Sequence, residues 1–268
     1  MVDDGSEDET PQVLQRYAGR VRALRQPQRG VSSARNTGIG AVGGSYVALL
    51  DADDWWDPEK LTRQIDFLER NPAVGAIGCG RRHIGPEGRL QEVIVTPRAT
   101  ADRRRNVSLI ATRRLWIGGS SSGAVIRRPV FDRVGLYDEQ LWAAEDWDLW
   151  LRIAAEFPID NLPDILTNIH RHGTGIFRDP ERVQGAQWAV YSKAIRAWPE
   201  AMTPGVRRQM RALILRDAAG EWRGRGDAVR ALTYEWRALA AWPVDRRAWW
   251  RALGGVTRLP QALARRRG

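Results

Sequence analysis

Three carboxylate clusters stand out in this chain of 268 residues: Asp3-Asp4, Asp51-Ala52-Asp53-Asp54 and Glu145-Asp146. The middle cluster follows the apolar run Tyr46-Val47-Ala48-Leu49-Leu50. That run reads as a strand, so the acids sit at the end of a strand where open α/β sheets take up ligands. Three like charges in four positions are unfavourable unless a cation or several donors offset them. Oxygen ligands of this kind select a hard divalent ion, Mg2+ or Mn2+. A helix cap accounts for one of these acids, not for three. The other two pairs each open a helix, and taken alone each reads as a turn or a cap. Glu145-Asp146 also lies where a helix dipole favours an ionised carboxylate, the form a general base needs. A single cysteine, Cys79, excludes an intrachain disulfide, and with only three histidines the chain offers few ligands for zinc.

The elements that must position these acids follow from apolar spacing. The first 80 residues alternate short apolar runs with capped helices, a βαβ pattern. Helices are predicted over 10–17 and 33–41, a short strand over 21–24, and a central strand over 46–50 buried on both faces. A further helix follows Asp57-Pro58-Glu59 with Leu61, Ile65 and Leu68 inward, and the next strand is 76–80. Beyond it come two strands about the turn 84–89, the second being 90–95, then a polar stretch over 98–105. A strand over 123–126, a helix over 128–134, and a helix from Asp146 with Trp147, Trp150, Leu151 and Ala154 on one face complete this part. From about 180 the sequence reads as helices over 181–197, 205–223, 226–241, 245–253 and 259–267.

The composition, 43% hydrophobic and 28% charged, is that of a soluble globular chain with room for one large domain or two smaller ones. No apolar run approaches the ~20 residues of a membrane span. Met1-Val2-Asp3-Asp4 does not resemble a secretory signal, so the expected compartment is the cytoplasm. The net charge of +10 is uneven: residues 181–268 hold 18 Lys+Arg against 7 Asp+Glu, while 1–180 are nearly balanced. This shift argues for a domain boundary, placed at 178/179. Without a reader motif it does not argue for nucleic acid. Within the basic part, Leu215, Ala218, Ala219, Trp222, Ala231, Ala238 and Pro243 have the spacing of one tetratricopeptide unit, with Glu235 where an aromatic is expected.

Taken in order, Asp3-Asp4-Gly5-Ser6, Gly30-Val31-Ser32-Ser33-Ala34-Arg35-Asn36-Thr37-Gly38, Leu50-Asp51-Ala52-Asp53-Asp54 and Glu145-Asp146-Trp147-Asp148-Leu149-Trp150-Leu151-Arg152 resemble family 2 glycosyltransferases of the GT-A fold. The segment 118–138, with Ser120-Ser121-Ser122 and Val134-Gly135-Leu136-Tyr137-Asp138, is also similar to that family. The resemblance covers about residues 1–175 and implies an α/β, Rossmann-like nucleotide-diphospho-sugar transferase domain followed by an all-α region. It implies that Asp4 contacts the nucleotide base while Asp3 shapes the turn, and that Arg35 and Asn36 border the nucleotide. Asp51 and Asp53 form the DxD motif for ribose and the metal-bound diphosphate, with Asp54 able to share the cation. Asp146 becomes the general base, with Glu145 beside it. His172 corresponds to a histidine near the diphosphate, although the tyrosine of that motif is absent.

The function so implied is inverting transfer from a nucleoside-diphosphate sugar, with a UDP-sugar the expected donor, to a glycan or lipid-linked hydroxyl in surface polysaccharide or glycolipid synthesis. The family places a strand and a helix before the Asp3–Ser6 motif, so this chain is expected to lack its first strand. That expectation sets an alternative beside catalysis: a degenerate transferase retained as a binding or scaffold protein. A phosphotransferase with an aspartyl nucleophile fits less well, because Trp55-Trp56 stand where a Ser or Thr is needed. The basic tail with tryptophans 188, 198, 222, 236, 242, 249 and 250 suits peripheral contact with an anionic membrane on its inner face. The competing reading makes those tryptophans a core.

Overall fold

Short apolar runs alternating with helices build two sheets in the first 170 residues of the computed structural model, which describes residues 1–118, 120–171 and 179–243. β1 (Val2–Asp3) pairs in parallel with β2 (Leu24–Arg25), across α1 (Thr10–Arg16), which has a proline in its first turn. Gly30, at φ 93°, supplies the backbone that turns the chain into α2 (Val31–Ala41). The larger sheet takes β3 (Tyr46–Ala48), β4 (Trp55–Trp56), β5 (Ala76–Ile84), β6 (Leu90–Ile94), β7 (Val125–Arg127) and β8 (Ile159–His170). Their order is β3-β7-β5-β8-β4, with β6 hairpinned onto β5. Among the described residues of this sheet only β5 and β8 run parallel.

Several expectations are corrected. The run over 46–50 is not a central strand: only Tyr46–Ala48 pairs, with β7, and Leu50 is 46% exposed. The chain leaves the sheet early to form the acidic loop. β8, twelve residues long, was not expected, because Asp160, Asn161, Pro163 and Asp164 interrupt its apolar pattern. Register shifts between Gly78 and Arg81 absorb the interruption. In α3 (Lys60–Arg70) the buried stripe is Lys60, Gln64 and Leu68, one residue round from the predicted Leu61, Ile65 and Leu68. Gln64 Nε2 donates to Ile77 O at 3.2 Å and Gly123 O at 2.9 Å, which explains a polar residue inside.

α4 (Arg103–Ala111), α5 (Arg128–Val134) and α6 (Glu145–Glu156) flank the sheet. As expected, α6 buries Trp147, Trp150, Leu151 and Ala154, and Leu68, Ile77 and Val125 form a fully buried cluster. Three glycines let the chain close on itself beside the site. A Cβ on Gly78 would stand 2.0 Å from Gly118 N, and one on Gly123 would stand 2.1 Å from Gly118 O.

By contacts the chain forms two units, Met1–Ile110 with Arg114–Gly173 and Ala111–Arg113 with Thr174–Gly268. The second unit holds α7 (Pro180–Ala197), α8 (Pro204–Gly224) and α9 (Ala228–Ala241). Asp179, Thr203 and Asp227 cap these helices by accepting from Arg182 N, Val206 N and Arg230 N. Leu215, Ala218, Ala219, Ala231 and Ala238 are buried, and Glu235, 1% exposed, pairs with Arg223 at 2.8 Å. Trp188, Trp198, Trp222 and Trp242 are half-buried and Trp236 is 40% exposed, so these five do not form the core that one sequence reading gave them. Trp222 instead lies under Arg225 and Arg230. The helices predicted over 245–253 and 259–267, with Trp249 and Trp250, lie outside the described residues.

Candidate active site

The carboxylates at the end of β1 hold turns. Asp3, 5% exposed, accepts from Ser6 N at 2.9 Å, and hydrogen bonds from Ser6 lower its pKa. Asp4 Oδ1 accepts from Gln26 Nε2 at 2.7 Å and Arg29 N at 3.0 Å, and its Oδ2 accepts from Gly30 N at 2.7 Å. Both oxygens of the side chain expected at the nucleotide base thus secure the entry to α2.

From α2, Arg35 reaches the other two clusters at once. Its guanidinium donates to Asp51 Oδ1 at 2.8 Å and Glu145 Oε1 at 2.6 Å, with its side chain only 12% exposed. It also stacks over the Tyr137 ring at 5.3 Å. Burial works against the charge, but Asp51 and Glu145 hold Arg35 firmly protonated. Glu145 is buried, and that burial together with the neighbouring Asp146 charge raises its pKa against the pull of Arg35. Asp146, half-buried, accepts from Trp147 N at 2.6 Å in the first turn of α6. The next residue of α2, Asn36, donates to Tyr137 O and Glu139 Oε1 and accepts from Tyr137 N. It faces the segment leading into α6.

The acidic loop is latched by a residue that the sequence reading did not single out for a role. Ser122 Oγ donates to Asp54 Oδ2 at 2.6 Å and accepts from Asp51 N at 3.1 Å, while Ser122 O accepts from Trp56 Nε1 at 2.7 Å. Asp54 Oδ1 accepts from His170 N at 3.0 Å, and burial pushes the Asp54 carboxyl up to about 6. Asp53 is exposed. Below the loop, the Lys60 ammonium is fully buried 4.3 Å over the Trp56 ring and has no hydrogen-bond partner among the described residues. Tyr137 and Arg152 also went unassigned. Tyr137 Oη meets Ser121 Oγ at 3.1 Å, and Arg152 donates to the carbonyls of Val134, Gly135 and Leu136 while pairing with Asp148 at 2.8 Å. The one available signal was an arginine four residues after an aspartate in a helix. His172 lies outside the described residues.

Whether these acids suit a divalent cation turns on which oxygens are committed. Among the described residues no three His, Cys, Asp or Glu side chains gather to hold a metal by themselves. Asp54 gives both oxygens to protein donors, and among the described residues Asp51 Oδ2 accepts no hydrogen bond. Asp51 and Asp53, one residue apart in the acidic loop, make a two-carboxylate set by their spacing. Such a set fits Mg2+ or Mn2+ bound through one or two carboxylates, with phosphate and water oxygens completing the shell.

The sequence profile of the family described as Glycosyl transferase family 2 matches residues 1–135, and that of Glycosyltransferase like family 2 matches 91–182. The uncharacterized glycosyltransferase EpsJ of Bacillus subtilis is 30% identical over 158 residues, covering 54% of this chain and 44% of its own length. The uncharacterized protein Rv1520 of Mycobacterium tuberculosis is 28% identical over 208 residues, covering 75% and 58%. The chain thus spans about half the length of these curated relatives. Among solved structures, Staphylococcus aureus TarS 1–349 in complex with UDP-GlcNAc superposes with a TM-score of 0.62 at 18% identity, covering 92% of this chain and 72% of that one. The mannosyltransferase PcManGT of Pyrobaculum calidifontis, in complex with GDP-Man and Mn2+, gives 0.58 at 22% identity, covering 96% and 70%. At these identities the shared property is the fold, an α/β GT-A-like sheet with a helical C-terminal region.

Proposed function

Because the chain belongs to glycosyl transferase family 2, we propose that it moves a sugar from a nucleoside-diphosphate sugar, a UDP-sugar by preference, to a hydroxyl acceptor with inversion at the anomeric carbon. One observation carries this reading: the Arg35 guanidinium touches both Asp51 of the acidic loop and Glu145 beside the base. The groups for the leaving diphosphate and for the attacking hydroxyl are then a single side chain apart.

In this reaction the acceptor oxygen bonds to the anomeric carbon as the bond to the diphosphate oxygen breaks, and the diphosphate leaves with the electron pair. Asp146 takes the hydroxyl proton. It suits that role better than Glu145, which is buried and committed to Arg35. Asp51 and Asp53 would hold a divalent cation, which supplies charge neutralisation of the departing diphosphate. Asp4, Gln26 and Gly30 fix the loop expected at the nucleotide, and Asn36 fixes the approach to Glu145-Asp146. The bound neighbours named above, with UDP-GlcNAc and with GDP-Man and Mn2+, support a nucleotide-sugar donor and a cation. The product belongs with surface polysaccharide or glycolipid, the acceptor being a glycan or lipid-linked sugar. The division at 178/179 then separates a transferase domain from helices that serve location at the inner face of a membrane. Among the described residues no helix is long and apolar enough to cross one.

The test is release of nucleoside diphosphate from a panel of UDP- and GDP-sugars with Mn2+ or Mg2+, in wild-type protein and Asp146→Asn. Turnover of at least one donor that depends on Asp146 supports the proposal. No binding and no turnover across the panel overturns it.

A further inference from the structure

The inward face of α3 is polar where a helix packed on a sheet is ordinarily apolar: Lys60 and Gln64, one turn apart, are both fully buried ahead of Leu68. Each serves one carbonyl of the 3-10 turn Ser121–Gly123. Gln64 Nε2 donates directly to Gly123 O at 2.9 Å. Lys60 reaches the preceding carbonyl through Trp56. Its ammonium stands 4.3 Å from the centroid of that ring, and the ring Nε1–H donates to Ser122 O at 2.7 Å.

A charge taken out of water with no hydrogen-bond partner among the described residues works against folding. The face of the indole returns part of that loss. A methionine would fill the same space without it, so stability alone does not account for the charge. Its effect on Trp56 does. A cation over the ring draws electron density from the indole and makes Nε1–H a stronger donor. The indole is itself set by the sheet, because Trp56 pairs with Thr167 of β8. Ser122 is wholly buried, so neither its carbonyl nor its hydroxyl has water as an alternative partner. With the carbonyl held by Trp56, the hydroxyl is aimed at the acidic loop, where it donates to Asp54 Oδ2 at 2.6 Å and accepts from Asp51 N at 3.1 Å.

We propose that Lys60 is a positioning residue for the acidic loop. Its charge keeps the indole of Trp56 on Ser122, and Ser122 keeps the Asp51 main chain and the Asp54 carboxylate in place. Asp51 and Asp53 are thereby presented together to the cation of the donor diphosphate. That last step rests on the transferase reading, while the relay from Lys60 to Asp51 stands on the contacts alone. Asp54, whose two oxygens join Ser122 to His170 N, is then the fastening of the loop.

The test compares the full chain as wild type, Lys60→Met, Trp56→Phe and the double variant. Methionine keeps the bulk of the lysine stem without the charge, and phenylalanine keeps a ring without the indole N–H. Amide exchange in metal-free protein reads the latch, because Asp51 N–H and His170 N–H donate to Ser122 and Asp54. Each single variant should speed exchange at these two amides by ~5-fold or more, the scale of one hydrogen bond, while the amides of β5 keep their wild-type rates. The double variant should exchange no faster than Trp56→Phe alone, since Lys60 acts through the indole. The Mn2+-dependent part of UDP affinity should fall by a similar factor in Lys60→Met. Wild-type exchange at Asp51 and His170 in either single variant overturns the proposal. Equal acceleration at the amides of β5 also overturns it, because Lys60 would then support the fold as a whole. Additive effects in the double variant overturn the route through Trp56. Absence of UDP binding to wild-type protein would sink the transferase reading by itself, and the exchange rates would still decide the relay.

Discussion

Asn36 holds the main chain of Tyr137 from both sides, its Oδ1 accepting from Tyr137 N at 2.9 Å and its Nδ2 donating to Tyr137 O at 2.9 Å. The two residues are 101 positions apart, so one carboxamide joins α2 to the segment that delivers Glu145 and Asp146. Asn36→Ala should lower stability by about 2 kcal/mol, as expected for several lost hydrogen bonds that leave backbone groups unpaired. Asn36→Asp should cost more, because a carboxylate would meet the Tyr137 carbonyl and Glu139. Urea unfolding of the three proteins gives the order, and Asp more stable than Ala would contradict this geometry.

Asp146→Asn should keep donor affinity and lower turnover by ~10²-fold or more, the scale of a lost general base. The carboxamide keeps the shape and cannot take the proton. Donor affinity by calorimetry and turnover by diphosphate release separate the two effects. Unchanged turnover would move the base to another group, Glu145 first.

UDP binding should need Mn2+ or Mg2+, and Asp51→Asn or Asp53→Asn should weaken the cation-dependent part. Asp54→Asn should leave it nearly intact, because both Asp54 oxygens already serve Ser122 and His170. Equal UDP affinity in chelator and in metal would remove the cation from the reading. A loss at Asp54 as large as at Asp53 would return Asp54 to the ligand set.

Lys60 gives a pH dependence whose sign can be worked out. Burial lowers its pKa to about 8, below the ordinary lysine value. Between about pH 8 and 10.4 the unfolded chain therefore holds a proton that the folded chain has released, and stability rises with pH across that window. The slope contributed reaches at most ~1.4 kcal/mol per pH unit. Lys60→Met should remove this contribution and raise stability at pH 7, since no charge is then buried over Trp56. Melting temperatures from pH 7 to 10 for both proteins check it, and parallel curves would show that Lys60 does not titrate in this way.

The helical unit should bring the chain to anionic vesicles at low salt and release it as salt rises, because screening shortens to ~8 Å at physiological ionic strength. Its tryptophans are half-buried or exposed among the described residues, and Trp222 sits under two arginines. Co-sedimentation with anionic and neutral vesicles across a salt series measures this. No binding to anionic vesicles at low salt would leave the basic surface without that role.

The acids were legible in the sequence because their types are scarce and their spacing unusual, and the helices because apolar residues and caps recur at helical intervals. What escaped detection depends on contacts between distant segments. Ser122 is an ordinary serine until the fold sets it between Asp51 and Asp54. The stripe of α3 was read one residue off because Lys60 and Gln64 look like surface residues, and only the carbonyls of Ile77 and Gly123 explain why Gln64 is inside. β8 was hidden by polar residues that its partner strand tolerates through shifted register. Asp4 and Asp54 show the reverse case, in which the residue was found but its oxygens turn out to serve the protein's own donors.

The meeting of Gly78, Gly118 and Gly123 has a consequence for descent. Most positions around an active site can exchange side chains as a lineage changes substrate. Here a single added methyl on Gly78 would overlap Gly118 and Asn161, and Gly118 itself has a positive φ of 68°. A side chain at Gly78, Gly118 or Gly123 would have to displace the backbone of another segment, so a change of specificity is open to the residues around them and not to these three.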